Sequence, residues 1–206
     1  MLKLSTKNLA DLKDSFPKLY VVGSGPTNFD YKDIEKITAP IIFINDMAQF
    51  AITCASEEQY FLSHHLSKYR DVSPITIWIS KLYSETSEWN IVGDSRFSPK
   101  NDFISVKAIM GDEADDNFFV RYPWLLNKDE VIKKNTILGF FGTITTVLYM
   151  SWFMGCSEPR MIGCDPNSLT DTHDKRIGGA MIYEPAKIKR NQKALTKKLD
   201  LNPIYI

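Results

Sequence analysis

The sequence predicts an α/β fold, with a mainly parallel sheet of about six or seven strands and helices on both faces. Short apolar runs alternate along the chain with helical segments, which is typical of β-α-β units. The 206 residues contain no repeat and no low-complexity linker, so residues 1–206 are expected to form one domain. A glycine-rich turn follows the first apolar run, where open sheets of this kind bind ligands. These observations together indicate a single Rossmann-like domain.

Seven apolar runs are predicted strands: Leu19–Val22, Pro40–Asn45, Gln59–Leu62, Ile75–Ser80, Phe103–Val106, Arg160–Gly163 and Asn202–Ile206. Four segments between them are predicted helices: Asp30–Ile37, Met47–Cys54, Thr143–Gly155 and Pro185–Leu199. The segment around 83–135 mixes Asp, Asn, Ser and aromatic residues, and we expect it to be irregular.

Composition excludes several classes of protein. The 25 basic and 25 acidic residues cancel, which argues against a nucleic-acid-binding protein. The three cysteines are scattered without metal-ligand spacing, which favours a reducing, cytoplasmic compartment over a disulfide framework. The N-terminal segment is amphipathic and of mixed charge, so we do not expect a signal peptide.

One apolar stretch leaves two interpretations open. Residues 137–156 contain no charged side chain and are long enough to cross a bilayer. The same stretch contains glycines, threonines and a serine, and a helix buried against a sheet is also apolar all round. We therefore expect a core helix here, with a membrane span as the alternative.

The turn after the first strand is the first candidate site. It comprises Gly23, Ser24, Gly25, Pro26 and Thr27. Glycines allow main-chain N–H groups to approach a ligand, and successive N–H groups form an anion-binding concavity. The turn has neither the Lys-Ser/Thr ending of a P-loop nor a third glycine, so a plain tight turn is the alternative.

Further pieces follow in a fixed order: Ile42-Phe43-Ile44-Asn45, Ile144-Thr145-Thr146-Val147-Leu148-Tyr149-Met150, Gly155, Arg160-Met161-Ile162-Gly163 and Asp165. With the glycine turn, this order resembles the bacterial sialyltransferases of glycosyltransferase family 42. Their pattern runs Gly-Asn-Gly-Pro-Ser, a strand ending in Asn, Ile-Thr-Ser-Gly-Val-Tyr-Met, and a strand ending Gly-Ile-Asp. The related 6-hydroxymethylpterin diphosphokinase-like proteins share the same skeleton.

The resemblance implies a site for the CMP part of a nucleotide-sugar donor. Asn45 would contact the nucleotide, since its amide offers both a donor and an acceptor. Thr145 and Thr146 would lie at a helix N-terminus, which favours an anion. Asp165 would accept hydrogen bonds from the ribose. The alternatives are local: Asn45 and Thr143 cap their helices, and Asp165 holds the turn that follows it.

Some positions depart from the family pattern. Thr143 stands where the family has an arginine, and Ile182-Tyr183-Glu184-Pro185 stands where its general-base histidine precedes the last helix. The main hypothesis is a metal-independent glycosyltransferase that needs no cofactor and transfers the sugar of a CMP-activated donor to a glycan or glycolipid acceptor, with CMP as the leaving group. A diphosphokinase-like enzyme using ATP and Mg²⁺, and a nucleotide-binding protein without catalysis, are the alternatives.

The candidate catalytic residues are His173, Lys175 and Arg176, which follow the predicted nucleotide site. A histidine among carboxylates keeps its proton to higher pH, and the two cations would pair with phosphate oxygens. A solvated loop is the alternative. His64 and His65 follow the third strand, and one of them is a candidate for acceptor contact.

The segment 187–198 carries six basic residues and no acidic one. It predicts either peripheral contact with an anionic membrane, at its inner face, or a solvated helix face. The acidic patch 111–116 lacks the ligand positions of a calcium loop, so a solvated turn is expected. A homo-oligomer is compatible with the sequence.

Overall fold

A computed structural model describes residues 8–25, 27–62, 76–83, 103–111, 113–140, 143–165 and 185–206. Its strands are β1 Tyr20–Val22, β2 Ile41–Ile44, β3 Gln59–Leu62, β4 Thr76–Tyr83, β5 Phe103–Gly111, β6 Thr136–Phe140, β7 Arg160–Ile162 and β8 Ile204–Tyr205. Its α-helices are α1 Leu9–Leu12, α2 Asp116–Arg121, α3 Lys128–Lys134, α4 Thr143–Phe153 and α5 Pro185–Lys198. Three 3₁₀ helices cover Tyr31–Lys36, Asn45–Ile52 and Pro123–Leu126.

The eight strands described form one parallel sheet in the order β6-β5-β4-β3-β2-β1-β7-β8. The chain therefore moves from β1 to β6 in one direction, then returns to add β7 and β8 on the other side of β1. The direction of the connections reverses between β1 and β7, which makes this the topological switch point of the sheet.

Alternation along the strands divides the core into two layers. Val21 and Ile42 belong to the cluster that contains residues of all five α-helices, including Leu148 of α4. Their neighbours Val22 and Phe43 belong to a second cluster, completed by residues of the first two 3₁₀ helices. Because successive side chains of a strand point to opposite faces, each strand contributes to both layers. The prediction of an α/β sheet with helices on both faces is confirmed.

All seven predicted strands are present, with ends shifted by a few residues. The prediction missed β6, because its short apolar run continues directly into the apolar helix α4 and periodicity does not separate the two. The predicted helices Asp30–Ile37 and Met47–Cys54 are 3₁₀ helices with different bounds.

The apolar stretch 137–156 divides into most of β6 and an 11-residue α4. Within the described ranges, no helix is long and apolar enough to cross a bilayer. The core-helix interpretation of this stretch is confirmed, and a continuous span through it is wrong.

The described parts of the segment 83–135 are more regular than predicted. They contain β5, α2, a 3₁₀ helix and α3. Asn127 begins α3 by accepting hydrogen bonds from the amides of Asp129 and Glu130 at 3.0 and 3.3 Å. Asn135 ends it in the left-handed conformation. Acidic residues in the first turn and lysines in the last complement the helix dipole, so these local signals were present in the sequence.

Candidate functional site at the switch point

Three neighbouring strands end together at the switch point. Gly23 follows β1, Asn45 follows β2, and Gly163 follows β7, with Asp165 two residues further on. Parallel strands place their carboxyl ends at one edge of a sheet. The structure therefore brings the glycine turn, Asn45 and Asp165 to one edge, and we call this region the switch-point site.

The glycine turn is held against the end of β7. The Gly23 amide donates to the Ile162 carbonyl and the Gly25 amide donates to the Gly163 carbonyl, both at 2.8 Å. The sequence predicted that the amides of this turn would approach an anionic ligand. Two of them instead donate to the end of β7 and its following residue.

Close backbone approach explains the glycines here. Gly163 has φ +61°, and a Cβ on it would lie 2.6 Å from the Tyr31 hydroxyl and overlap the Gly23 carbonyl oxygen. A Cβ on Gly23 would lie 2.7 Å from the Cys164 Sγ. Both positions therefore exclude side chains for packing reasons.

Tyr31 holds this turn in place through its hydroxyl. Sequence analysis missed this role. Its hydroxyl donates to the Gly23 and Gly25 carbonyls at 3.0 and 3.3 Å. Its ring stacks on Phe50 of the second 3₁₀ helix, with centroids 5.3 Å apart and planes at 13°. Burial, and to a smaller extent the charge of Cys164, raises the pKa of Tyr31 above its usual value. The side chain thus joins the end of β1 to the helix that follows β2.

Asn45 holds the most informative polar atom of the site. The residue has φ +50°, a conformation that Asn tolerates better than most residues. Its Oδ1 is buried and accepts no hydrogen bond from the described part of the chain. Asn45 is the first residue of its 3₁₀ helix, whose N-cap residue is Ile44, so its side-chain oxygen does not cap that helix. A buried acceptor without a partner costs about 1–3 kcal/mol.

Two groups near the end of β7 have raised pKa values. Burial raises the pKa of the Cys164 thiol to about 12, partly offset by a hydrogen bond with the Gly23 backbone. Burial also raises the pKa of Tyr205 to about 12, with smaller contributions from the charges of Cys164 and Asp165. Both groups therefore keep their protons at neutral pH, and Cys164 is not a thiolate nucleophile there.

Thr27 closes the turn on the side of β8. Its hydroxyl donates to the Ile206 carbonyl and accepts from the Phe29 amide at 3.1 Å. Ser24 lies between the two glycines and is exposed. Of the predicted turn residues, Gly23 and Gly25 thus bond to the end of β7, and Thr27 connects the turn to the end of the chain after β8.

Thr145 and Thr146 are fully buried in α4, which begins three residues after β6. α4 packs against β6 and also against β2, the strand that Asn45 follows. That the two threonines contact the nucleotide stays a prediction.

Several predicted site residues fall outside the described ranges: Pro26, His64, His65, His173, Lys175 and Arg176. Among the described residues, no group of three or more His, Cys, Asp or Glu side chains is arranged to hold a metal ion.

The basic helix α5 meets the acidic patch that follows β5. Arg190 lies 3.5 Å from Glu113, and Lys198 lies 2.9 Å from Asp116. The Lys198 hydrogen bond and charge lower the pKa of Asp116. The patch was predicted to be a solvated turn. Its carboxylates also pair with two of the basic side chains of the 187–198 segment.

Comparison with known protein families finds no match for this chain, and comparison with curated proteins finds none either.

Proposed function

We propose that this protein binds a cytidine nucleotide at the switch-point site and transfers the sugar of a CMP-activated donor to a glycan or glycolipid acceptor without a metal ion. The proposal is supported above all by the buried Oδ1 of Asn45, which has no partner among the described residues, in a site formed by the ends of three adjacent strands. The order of motifs that resembles family 42 supports the same assignment.

Asn45 can form a paired interaction with a nucleobase. Its Oδ1 needs an N–H donor, and the exocyclic amine of cytosine supplies one, while the Asn45 amide N–H₂ would donate to the neighbouring ring nitrogen. Adenine and uracil also present a donor beside an acceptor, so the choice of cytosine rests on the resemblance to family 42.

Asp165 would accept hydrogen bonds from the ribose hydroxyls, since it follows the end of β7, two strands from Asn45. Sugar transfer also needs a base for the acceptor hydroxyl and cations for the departing phosphate. We assign the proton transfer to His173 and the phosphate contacts to Lys175 and Arg176.

A thermal-shift comparison tests the nucleotide. CMP at about 100 times its dissociation constant should stabilise the protein by roughly 2.7 kcal/mol. UMP and AMP should stabilise it less. A larger effect of ATP with Mg²⁺ would contradict the proposal and favour the diphosphokinase-like alternative.

Asn45→Gly tests the site itself, because glycine tolerates the positive φ but removes the amide. The variant should bind CMP about 10–100-fold more weakly, as expected for losing a buried hydrogen-bonding group. Asn135→Gly is the matched control, since Asn135 has φ +46° and is exposed at the end of α3. Equal CMP affinity in both variants would contradict the site.

Transfer is tested separately with CMP-sugar donors. His173→Ala should lower turnover by about 10²–10⁴-fold, the usual loss for a general acid or base. Its CMP affinity should change much less. If the parent protein binds CMP but turns over no CMP-sugar, the nucleotide-binding protein without catalysis becomes the correct interpretation.

A further inference from the structure

A cleft of about 490 Å³ lies between α5 and the segment that leads into β8, outside the candidate nucleotide residues. It is lined by one face of α5 and by the chain on either side of Pro203: Lys189, Gln192, Lys193, Thr196, Leu201, Asn202, Pro203 and Tyr205. This volume is within the range of small-molecule sites. We call it the α5–β8 cleft.

Gln192 places an unpartnered acceptor in the wall of this cleft. Only 2 % of the residue is exposed, and its Oε1 accepts no hydrogen bond from the residues that the structure describes. The adjacent Asn191 is equally buried, but its Oδ1 accepts from the Ala114 amide at 3.0 Å. The fold thus uses one of two neighbouring buried amides, while the other belongs to a residue that lines the cleft and has an acceptor without a partner in the described part of the chain. A buried polar atom of this kind indicates a missing hydrogen-bond donor.

The positive charge of α5 is also divided between two sides. Arg190 and Lys198 pair with carboxylates of the acidic patch. Lys189 and Lys193, which line the cleft, form no ion pair within the described ranges. These two lysines are four residues apart on one helix face, where like charges repel each other. An anion in the cleft would relieve that repulsion.

The rest of the lining suits a hydroxyl-rich ligand. Thr196 donates its hydroxyl to the Lys193 carbonyl at 3.0 Å, which leaves its oxygen lone pairs as acceptors. Asn202 is exposed and adds an amide with both donors and an acceptor. Tyr205 keeps its phenolic proton at neutral pH and can donate it, while its ring and Pro203 supply an apolar surface. Donors, acceptors and one apolar surface together match a sugar ring better than a simple anion.

We propose that the α5–β8 cleft binds a phosphorylated sugar. Its phosphate would pair with Lys189 and Lys193, and one of its hydroxyls would donate to the Oε1 of Gln192. The ring would lie against Tyr205 and Pro203. This inference uses no residue assigned above to the nucleotide and does not depend on sugar transfer.

Calorimetric titration of the full chain with glucose 6-phosphate, mannose 6-phosphate and galactose 1-phosphate tests the assignment. At least one of the three should bind, and inorganic phosphate or free glucose should bind at least tenfold more weakly. Lys189→Gln and Lys193→Gln should each weaken the binding roughly tenfold, the order expected for one charge-assisted hydrogen bond. Lys197→Gln is the control, because this exposed residue is on the same helix and does not line the cleft.

Gln192→Leu separates recognition from folding. Leucine fills a similar volume, so the melting temperature should stay at or above that of the parent, whereas sugar phosphate binding should fall roughly tenfold. The proposal is wrong if none of the sugar phosphates binds, if inorganic phosphate binds equally well, or if the lysine variants match Lys197→Gln. Asn45→Gly should retain sugar phosphate binding, so failure here and failure of the nucleotide site are distinguishable.

Discussion

Helix α4 and the switch point of the sheet are built differently. Thr145, Thr146 and Tyr149 of α4 are fully buried within the packing. At the switch point the backbone turns of β1 and β7 pack directly on each other, and Asn45 keeps an unpartnered acceptor among the described residues. A helix buried in the core pairs its polar groups, whereas a reversal of the connections leaves strand ends open to a ligand.

The largest loss of stability is expected from a substitution at the switch point. Gly163→Ala should lower the free energy of unfolding by about 2–5 kcal/mol, from left-handed backbone strain and from overlap with the Gly23 carbonyl and the Tyr31 hydroxyl. Urea unfolding measures this loss. Gly155→Ala is the control, because Gly155 has φ +90° and its Cβ would meet Asp14 instead. Both variants should be destabilised, but only Gly163→Ala should weaken CMP binding in the folded protein.

Tyr149→Phe tests the buried helix α4. The Tyr149 hydroxyl donates to the Leu125 carbonyl at 2.6 Å, and burial raises its pKa well above the usual value. Removing the hydroxyl leaves a buried carbonyl without this donor and should cost about 1–3 kcal/mol. Chemical denaturation measures the change. Altered CMP binding in this variant would contradict the separation of the buried helix α4 from the switch-point site.

Alkaline pH should lower the free energy of unfolding through Cys164, which lies beside the switch-point site. Its pKa rises from 9.0 to about 12 in the folded protein, so between these values the unfolded chain loses a proton that the folded chain keeps. Its contribution to stability is therefore complete below pH 9 and is lost as the pH rises toward 12. One such group lowers the free energy of unfolding by up to about 1.4 kcal/mol per pH unit.

Cys164→Ala should reduce the loss of stability between pH 8 and pH 10, measured by denaturant unfolding at each pH. Cys156→Ala is the comparison, since burial raises the pKa of Cys156 as well, but at the start of the segment leading into β7. An unchanged pH profile in Cys164→Ala would show that its thiol is not buried as described.

The smallest effect is expected for Tyr31→Phe. The hydroxyl is shared between two carbonyls of a half-buried turn, so its loss should cost only about 1 kcal/mol. The stacking on Phe50 should remain because the ring is kept. CMP binding should weaken measurably, since the glycine turn loses a tether, whereas Tyr149→Phe leaves that turn intact. Equal CMP affinity in Tyr31→Phe and Tyr149→Phe would mean that the switch-point site and helix α4 do not differ in their effect on CMP binding.

Local patterns predicted much of the fold. The seven strands and the two long helices follow from short apolar runs, turn residues and helix periodicity, which act over a few residues. Gly23, Asn45 and Asp165 were located because each follows such a run and parallel strands share one edge. Helix type was less predictable: the segments after β1 and β2 form 3₁₀ helices that pack in the second core cluster, and the apolar spacing does not separate a 3₁₀ helix from an α-helix.

The sequence by itself determined that this chain forms an α/β fold and that its polar strand ends would gather at one edge, because the alternation of strands with helical segments is a local pattern that favours parallel strands. The tertiary structure decided which polar groups remain available there. Strand order placed β7 beside β1, and the pairing of these two strands engaged the amides of Gly23 and Gly25. Only packing between distant segments left Asn45 and Gln192 without partners among the described residues, since a side chain's hydrogen bonds depend on neighbours that sequence distance does not specify.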